Sequence, residues 1–111
     1  MKTRPKPVAD LISPDDIERL ALPSNLRYGQ VIYKRGGVEF IAFTPLKVEG
    51  WVGGLNGSVA EGGSQRRRTQ LISTLEGLQW NCTGNPKNHQ IFCKHCVALA
   101  MAIRDRTHPY H

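Results

Sequence analysis

The segment FCKHCVALAMAI, residues 92–103, limits most tightly what this chain can fold into. A cysteine, a histidine and a second cysteine stand at the mouth of an apolar run. Cys96, Leu99, Ala100 and Ile103 fall at i, i+3, i+4 and i+7, which predicts a helix from about His95 to Arg104 with one face on a core. Cys93 and His95 then sit where that helix begins, so a sulfur and a ring nitrogen can reach one centre. Zinc prefers four Cys or His ligands in a tetrahedron, so a pair is not enough. Cys82 lies upstream, separated from Cys93 by the ten residues TGNPKNHQIF, a polar and turn-rich stretch suited to folding around an ion. No Asp or Glu lies between Glu76 and Asp105, which excludes carboxylate ligands from this segment.

The rest of the chain predicts a small α+β domain. MKTRPKP reads as a basic flexible tail over residues 1–7. In SPDDIERLAL, Ser13 is the expected N-cap and Pro14 the first helical residue, with Asp15, Asp16 and Glu18 at the positive helix end. Ile17, Leu20 and Ala21 supply one apolar face, and Pro23 stops the helix. SNLRYGQVIYKRGG fits a second helix capped by Ser24 and ended by Gly36, although Val31-Ile32-Tyr33 would also suit a strand. VEFIAF predicts a strand with both faces partly covered, and GWVGGLNGS a second one whose glycines imply a bulge or close backbone contact. VAEGGSQ reads as a loop. RRRTQLIST is the third strand, with Arg66, Arg68 and Gln70 opposite Arg67, Thr69 and Leu71. A turn at Glu76-Gly77 leads into LQWNC, a fourth strand that carries Trp80 to Cys82. RTHPYH should fray.

Fifteen Lys and Arg against nine Asp and Glu leave a net charge of +6, which suits an anionic partner, nucleic acid first. The nucleic-acid candidates are Arg66, Arg67, Arg68, Lys87 and Lys94, with Lys2, Arg4 and Lys6 in the tail. A run of arginines also serves as a solvated strand edge that discourages pairing. With few aromatics, a stacking platform for single strands is not expected. No stretch reaches the roughly 20 apolar residues needed to span a bilayer. The start has charge but no apolar core of a signal peptide, so reduced thiols in a cytoplasmic protein are expected. The Asn56 and Asn81 sequons are then chance matches. The glycines lack both dinucleotide-loop and P-loop spacing. Cys93-Lys94-His95 could make an activated thiolate. No oxyanion donor or orienting third group accompanies it, so catalysis and a small-molecule substrate are not expected.

Trp80-x-Cys82 followed by Phe92-Cys93-Lys94-His95-Cys96 resembles the SWIM-type zinc finger, Cys-x-Cys, a variable loop, then Cys-x-His. Upstream, Gly29, Tyr33, Gly36 and Val38 resemble the family's glycine–tyrosine–glycine–valine segment, and Gly57-Ser58 its Gly-Ser step. The likeness covers roughly residues 10–104. It implies a metal site of Cys82, Cys93 and His95, but the family's second cysteine falls on Gly84. The fourth ligand is open. His89 could fold in from the loop, Cys96 makes a Cys-x-x-Cys spacing with Cys93 but lies on the apolar stripe, and a water or a partner's side chain could also serve.

The expected architecture is a short antiparallel sheet with N-terminal helices, closed by a zinc-finger-like hairpin and helix. The domain spans residues 8–104, the finger 80–104, and 105–111 form a frayed tail. The resemblance implies a non-catalytic Zn2+-binding module for DNA or for a protein, such as a Swi/Snf-type ATPase met in trans. The alternative is a metal-free, degenerate finger serving as a protein–protein adaptor.

Overall fold

A computed structural model describes residues 5–53, 66–82 and 91–107, with Arg66 given by its backbone alone. A short 3-10 helix, Val8–Leu11, leads into α1 (Pro14–Leu20) and α2 (Pro23–Lys34). Then come β1 (Val38–Phe43), β2 (Lys47–Gly53), β3 (Arg66–Thr74), β4 (Gly77–Cys82) and α3 (Lys94–Thr107). The four strands form one antiparallel sheet in the order β1-β2-β3-β4. The fold class is α+β, as the pattern of elements predicts. Among the described residues no helix is long and apolar enough to cross a membrane.

Local chemistry explains the helix boundaries. Ser13 Oγ accepts from Asp16 N–H (3.1 Å) while the Asp16 carboxylate accepts from Ser13 N–H (3.2 Å), a reciprocal capping box. Pro23 stops α1 and also opens α2 at its first position, with Leu22 rather than Ser24 as N-cap. A proline costs nothing there, because its missing N–H would have no helical partner. Gly36 takes φ +74° just beyond α2, a left-handed conformation that suits glycine.

Helix α3 is the centre of the molecule. It packs on the inner face of the sheet on one side and on α2 on the other. Not only the expected stripe but also Val97, Ala98 and Ala102 are buried, since the helix is covered on two sides. It runs on to Thr107, so Asp105, Arg106 and Thr107 are helical rather than frayed. Val48, Val52, Leu71 and Cys82 of the sheet and Ile32 and Ile17 of the other helices belong to the same core cluster as its buried face. Each such apolar side chain contributes about 1.5–3 kcal/mol when fully buried. At Gly29 a Cβ would stand 2.5 Å from Val97 Cβ and 2.8 Å from the Lys94 carbonyl oxygen, so α2 and α3 touch almost backbone to backbone.

Three expectations need correction. In β1 a bulge between Phe40 and Ala42 turns Ile41 and Ala42 outward and returns Phe43 to the inner side. The outer face of β1 is therefore open instead of partly covered. Strand β2 begins at Lys47, before the glycine-rich stretch, and its Gly50 is the close contact expected: a Cβ there would meet Leu99 Cδ1 at 3.1 Å. The N-terminal stretch is also tied down sooner than a flexible tail over 1–7 would allow. Ser73 Oγ donates to the Lys6 carbonyl, and Val8 N–H donates to the Pro45 carbonyl (2.7 Å).

Candidate metal centre

Strand alternation aims Leu78, Trp80 and Cys82 of β4 at the inner face, in register with Ser73, Leu71 and Thr69 of β3. Cys82 thus ends its strand against the start of α3. There the Cys93 carbonyl accepts the first helical bond from Val97 N–H (3.0 Å), which fixes Cys93 and His95 at the helix mouth. Phe92 is fully buried and meets Trp80 edge-on, ring centroids 5.1 Å apart, so an aromatic pair braces both cysteine-bearing segments.

The three predicted ligands converge. Cys82 Sγ, Cys93 Sγ and a His95 ring nitrogen all lie within 4.8 Å of one another. Cys82 Sγ stands 3.5 Å and Cys93 Sγ 3.8 Å from His95 Nδ1. Zinc–sulfur and zinc–nitrogen bonds of about 2.3 and 2.0 Å in a tetrahedron set ligand atoms about 3.5–3.8 Å apart. The three side chains lie close enough together to hold a metal ion. Both cysteines are buried and His95 is half-buried.

Cys96 is fully buried on the core side, its Sγ 3.8 Å from Cys93 Sγ, but it does not belong to the mutually close group of three. All three cysteines are free thiols. The contact with Cys82, then those with Cys96 and His95, hold the Cys93 thiol far below the ordinary thiol range. Cys96 moves the opposite way, pushed well up by sharing its hydrogen bond with Cys93 and by burial. The arrangement favours one ligand-ready thiolate at Cys93 backed by a protonated core thiol at Cys96. His89, Gly84, Lys87, the Arg66 side chain, Lys2 and Arg4 lie outside the described residues.

The arginine run does not act as one patch. Arg68 points to the outer face and pairs with Glu49, whose carboxylate also accepts from Gln70 Nε2 (3.0 Å). Arg67 points the other way and lines an open cavity of about 440 Å3 together with Ser24, Asn25, Tyr28, Cys93, Lys94 and His95. Lys94 Nζ sits 5.8 Å from the centroid of the Tyr28 ring.

Sequence reasoning missed Thr69 and the α2 side of this cavity. Thr69 is fully buried, donates through Oγ1 to the Arg67 carbonyl (3.2 Å) and touches Cys82 Sγ at 3.8 Å. Its inward place in RRRTQLIST was readable from alternation; its partner Cys82 needed the strand register. No protein-family model, curated protein or solved structure matches this chain.

Proposed function

We propose that this chain is a non-catalytic, zinc-binding module of the SWIM type that binds DNA or a protein partner. The observation that carries the reading is the meeting of Cys82, Cys93 and His95 at ligand spacing, from two segments that are separated in sequence. Two thiolates and an imidazole suit Zn2+ better than Mg2+ or Ca2+, which take oxygen ligands. When bound, such an ion supplies folding free energy by tying the end of β4 to the start of α3. Three free thiols suit a reducing compartment such as the cytoplasm. A binding role is supported by the net charge of +6 and by a cavity beside the cluster whose described lining includes Arg67 and Lys94 and no carboxylate. His89 and Cys96 are the competing fourth ligands, and a Swi/Snf-type ATPase is the kind of protein partner the resemblance suggests.

Native mass spectrometry tests the metal directly. Wild type is expected to carry about one zinc per chain, and Cys82→Ser, Cys93→Ser and His95→Ala to lose it. Among fourth-ligand variants, only the one that removes a true ligand, His89→Ala or Cys96→Ser, should weaken retention against a chelator. Wild-type protein that is metal-free after purification under reducing, chelator-free conditions, and takes up no added zinc, would leave a metal-free adaptor instead.

A further inference from the structure

Beside the cysteine–histidine cluster, Arg67 of β3 and Lys94 at the start of α3 line one concavity. Among the described residues neither makes an ion pair; the partner of Lys94 there is the Tyr28 ring, which leaves its charge uncompensated. Ser24, Asn25 and Tyr28 can donate hydrogen bonds there, Cys93 and His95 of the cluster complete the lining, and no Asp or Glu is present to compete. Helix α2, which supplies Ser24, Asn25 and Tyr28, carries Arg27 and Lys34 with Arg35 just beyond, and no acidic residue from Pro23 to Gly37. The guanidinium fork matches the two non-bridging oxygens of a phosphodiester bidentately, and the closely spaced phosphates of a strand give Lys94 and the neutral donors further acceptors.

We propose that this cavity is a phosphate-binding subsite, with Arg67 and Lys94 as its charges and Ser24, Asn25 and Tyr28 as its neutral donors, and that it takes a phosphate of a nucleic-acid strand. The basic exposed side of α2 continues the path for neighbouring phosphates. The subsite deepens the DNA-binding reading and rests on it; Cys93 and His95 line the same cavity, so a metal held there would add positive charge beside the phosphate. It also divides the arginine run: Arg67 binds, while Arg68 stays with Glu49.

The test is fluorescence anisotropy of a labelled DNA oligonucleotide across a salt series, single-stranded and duplex, with inorganic phosphate and a polyglutamate peptide as competitors. Proteins are wild type, Arg67→Gln, Lys94→Gln, the double variant, and Lys47→Gln, which removes the same charge from the outer face. The double variant should bind DNA roughly tenfold or more weakly, with a salt slope lowered by about 1–2, and each single variant should fall between. Lys47→Gln should differ little from wild type. Inorganic phosphate should broaden in 31P spectra with wild type and not with the double variant. A double variant matching Lys47→Gln in affinity and slope would overturn the proposal. Competition by polyglutamate equal to that of DNA would also overturn it, in favour of an acidic protein. Native mass spectra of the same samples separate the two readings. Zinc retained with no Arg67 or Lys94 dependence sinks only the subsite, and metal-free protein that keeps the dependence sinks only the zinc.

Discussion

From Val97 to Ile103, α3 is wedged between α2 and the sheet by apolar side chains that need only one another. At Cys93 and His95, one turn earlier, the same helix is held by sulfur and nitrogen atoms crowded around a single point. Apolar burial is tolerant of small shifts and adds up over many contacts. A cluster of buried polar atoms is different, because each member is costly unless its partners stay in place. The body of α3 should therefore survive events that undo its mouth, and the mouth should survive some that loosen the body.

Gly29→Ala is the strongest way to attack the packing of α2 on α3 without removing a candidate ligand. A methyl there would meet Val97 Cβ at 2.5 Å and the Lys94 carbonyl at 2.8 Å, neither of which can swing aside. The helix-propensity gain of about 1 kcal/mol is outweighed by the forced separation of α2 and α3, leaving a net loss of about 1–2 kcal/mol. Urea denaturation should show that loss while native mass spectrometry shows the metal content of wild type, since no ligand comes from α2. Loss of metal together with stability would mean that the two ends of α3 are not independent.

Body and mouth were unequally legible in the sequence. The i, i+3, i+4, i+7 stripe gave the buried face of α3, but Val97, Ala98 and Ala102 are buried too because a second layer, α2, covers the helix. A periodicity reports one covered face and cannot report how many layers surround it. For α2 the run Val31-Ile32-Tyr33 fits strand and helix alike, and the structure resolves it as helix, Ile32 inward and Val31 exposed. The β1 bulge left no signal in VEFIAF, because a one-residue slip is set by pairing with β2. At the mouth, residue chemistry and spacing named Cys82, Cys93 and His95, and the structure brings all three together. Thr69, Tyr28, Ser24 and Asn25 escaped because they reach the site through register and helix packing.

A smaller effect sharpens the contrast between the neighbouring arginines. Glu49 is buried on the outer face, and the hydrogen bond from Arg68, followed by that from Gln70, holds its carboxyl below the usual range. An unfolded glutamate titrates near about pH 4.3, so the folded chain binds fewer protons there. The pair's stabilisation is present above that value and is lost as pH falls through the lower folded one. Glu49→Gln should flatten the acid limb of the stability profile as pH falls below the ordinary glutamate range, measured by urea melts. An unchanged limb would mean that the Arg68–Glu49 pair adds nothing in solution.

Amide hydrogen exchange of wild type, with and without a zinc chelator, tests most directly whether a metal holds the mouth and apolar burial the body. Chelation is expected to speed exchange at Thr69, Cys82 and the first turn of α3, from Lys94 to Val97. The amides from Leu99 to Ile103 should keep most of their protection. Exchange that is the same in both conditions, in protein whose cysteines are reduced, would contradict a metal-held mouth. Equal loss of protection along the whole of α3 would contradict a body that stands without it.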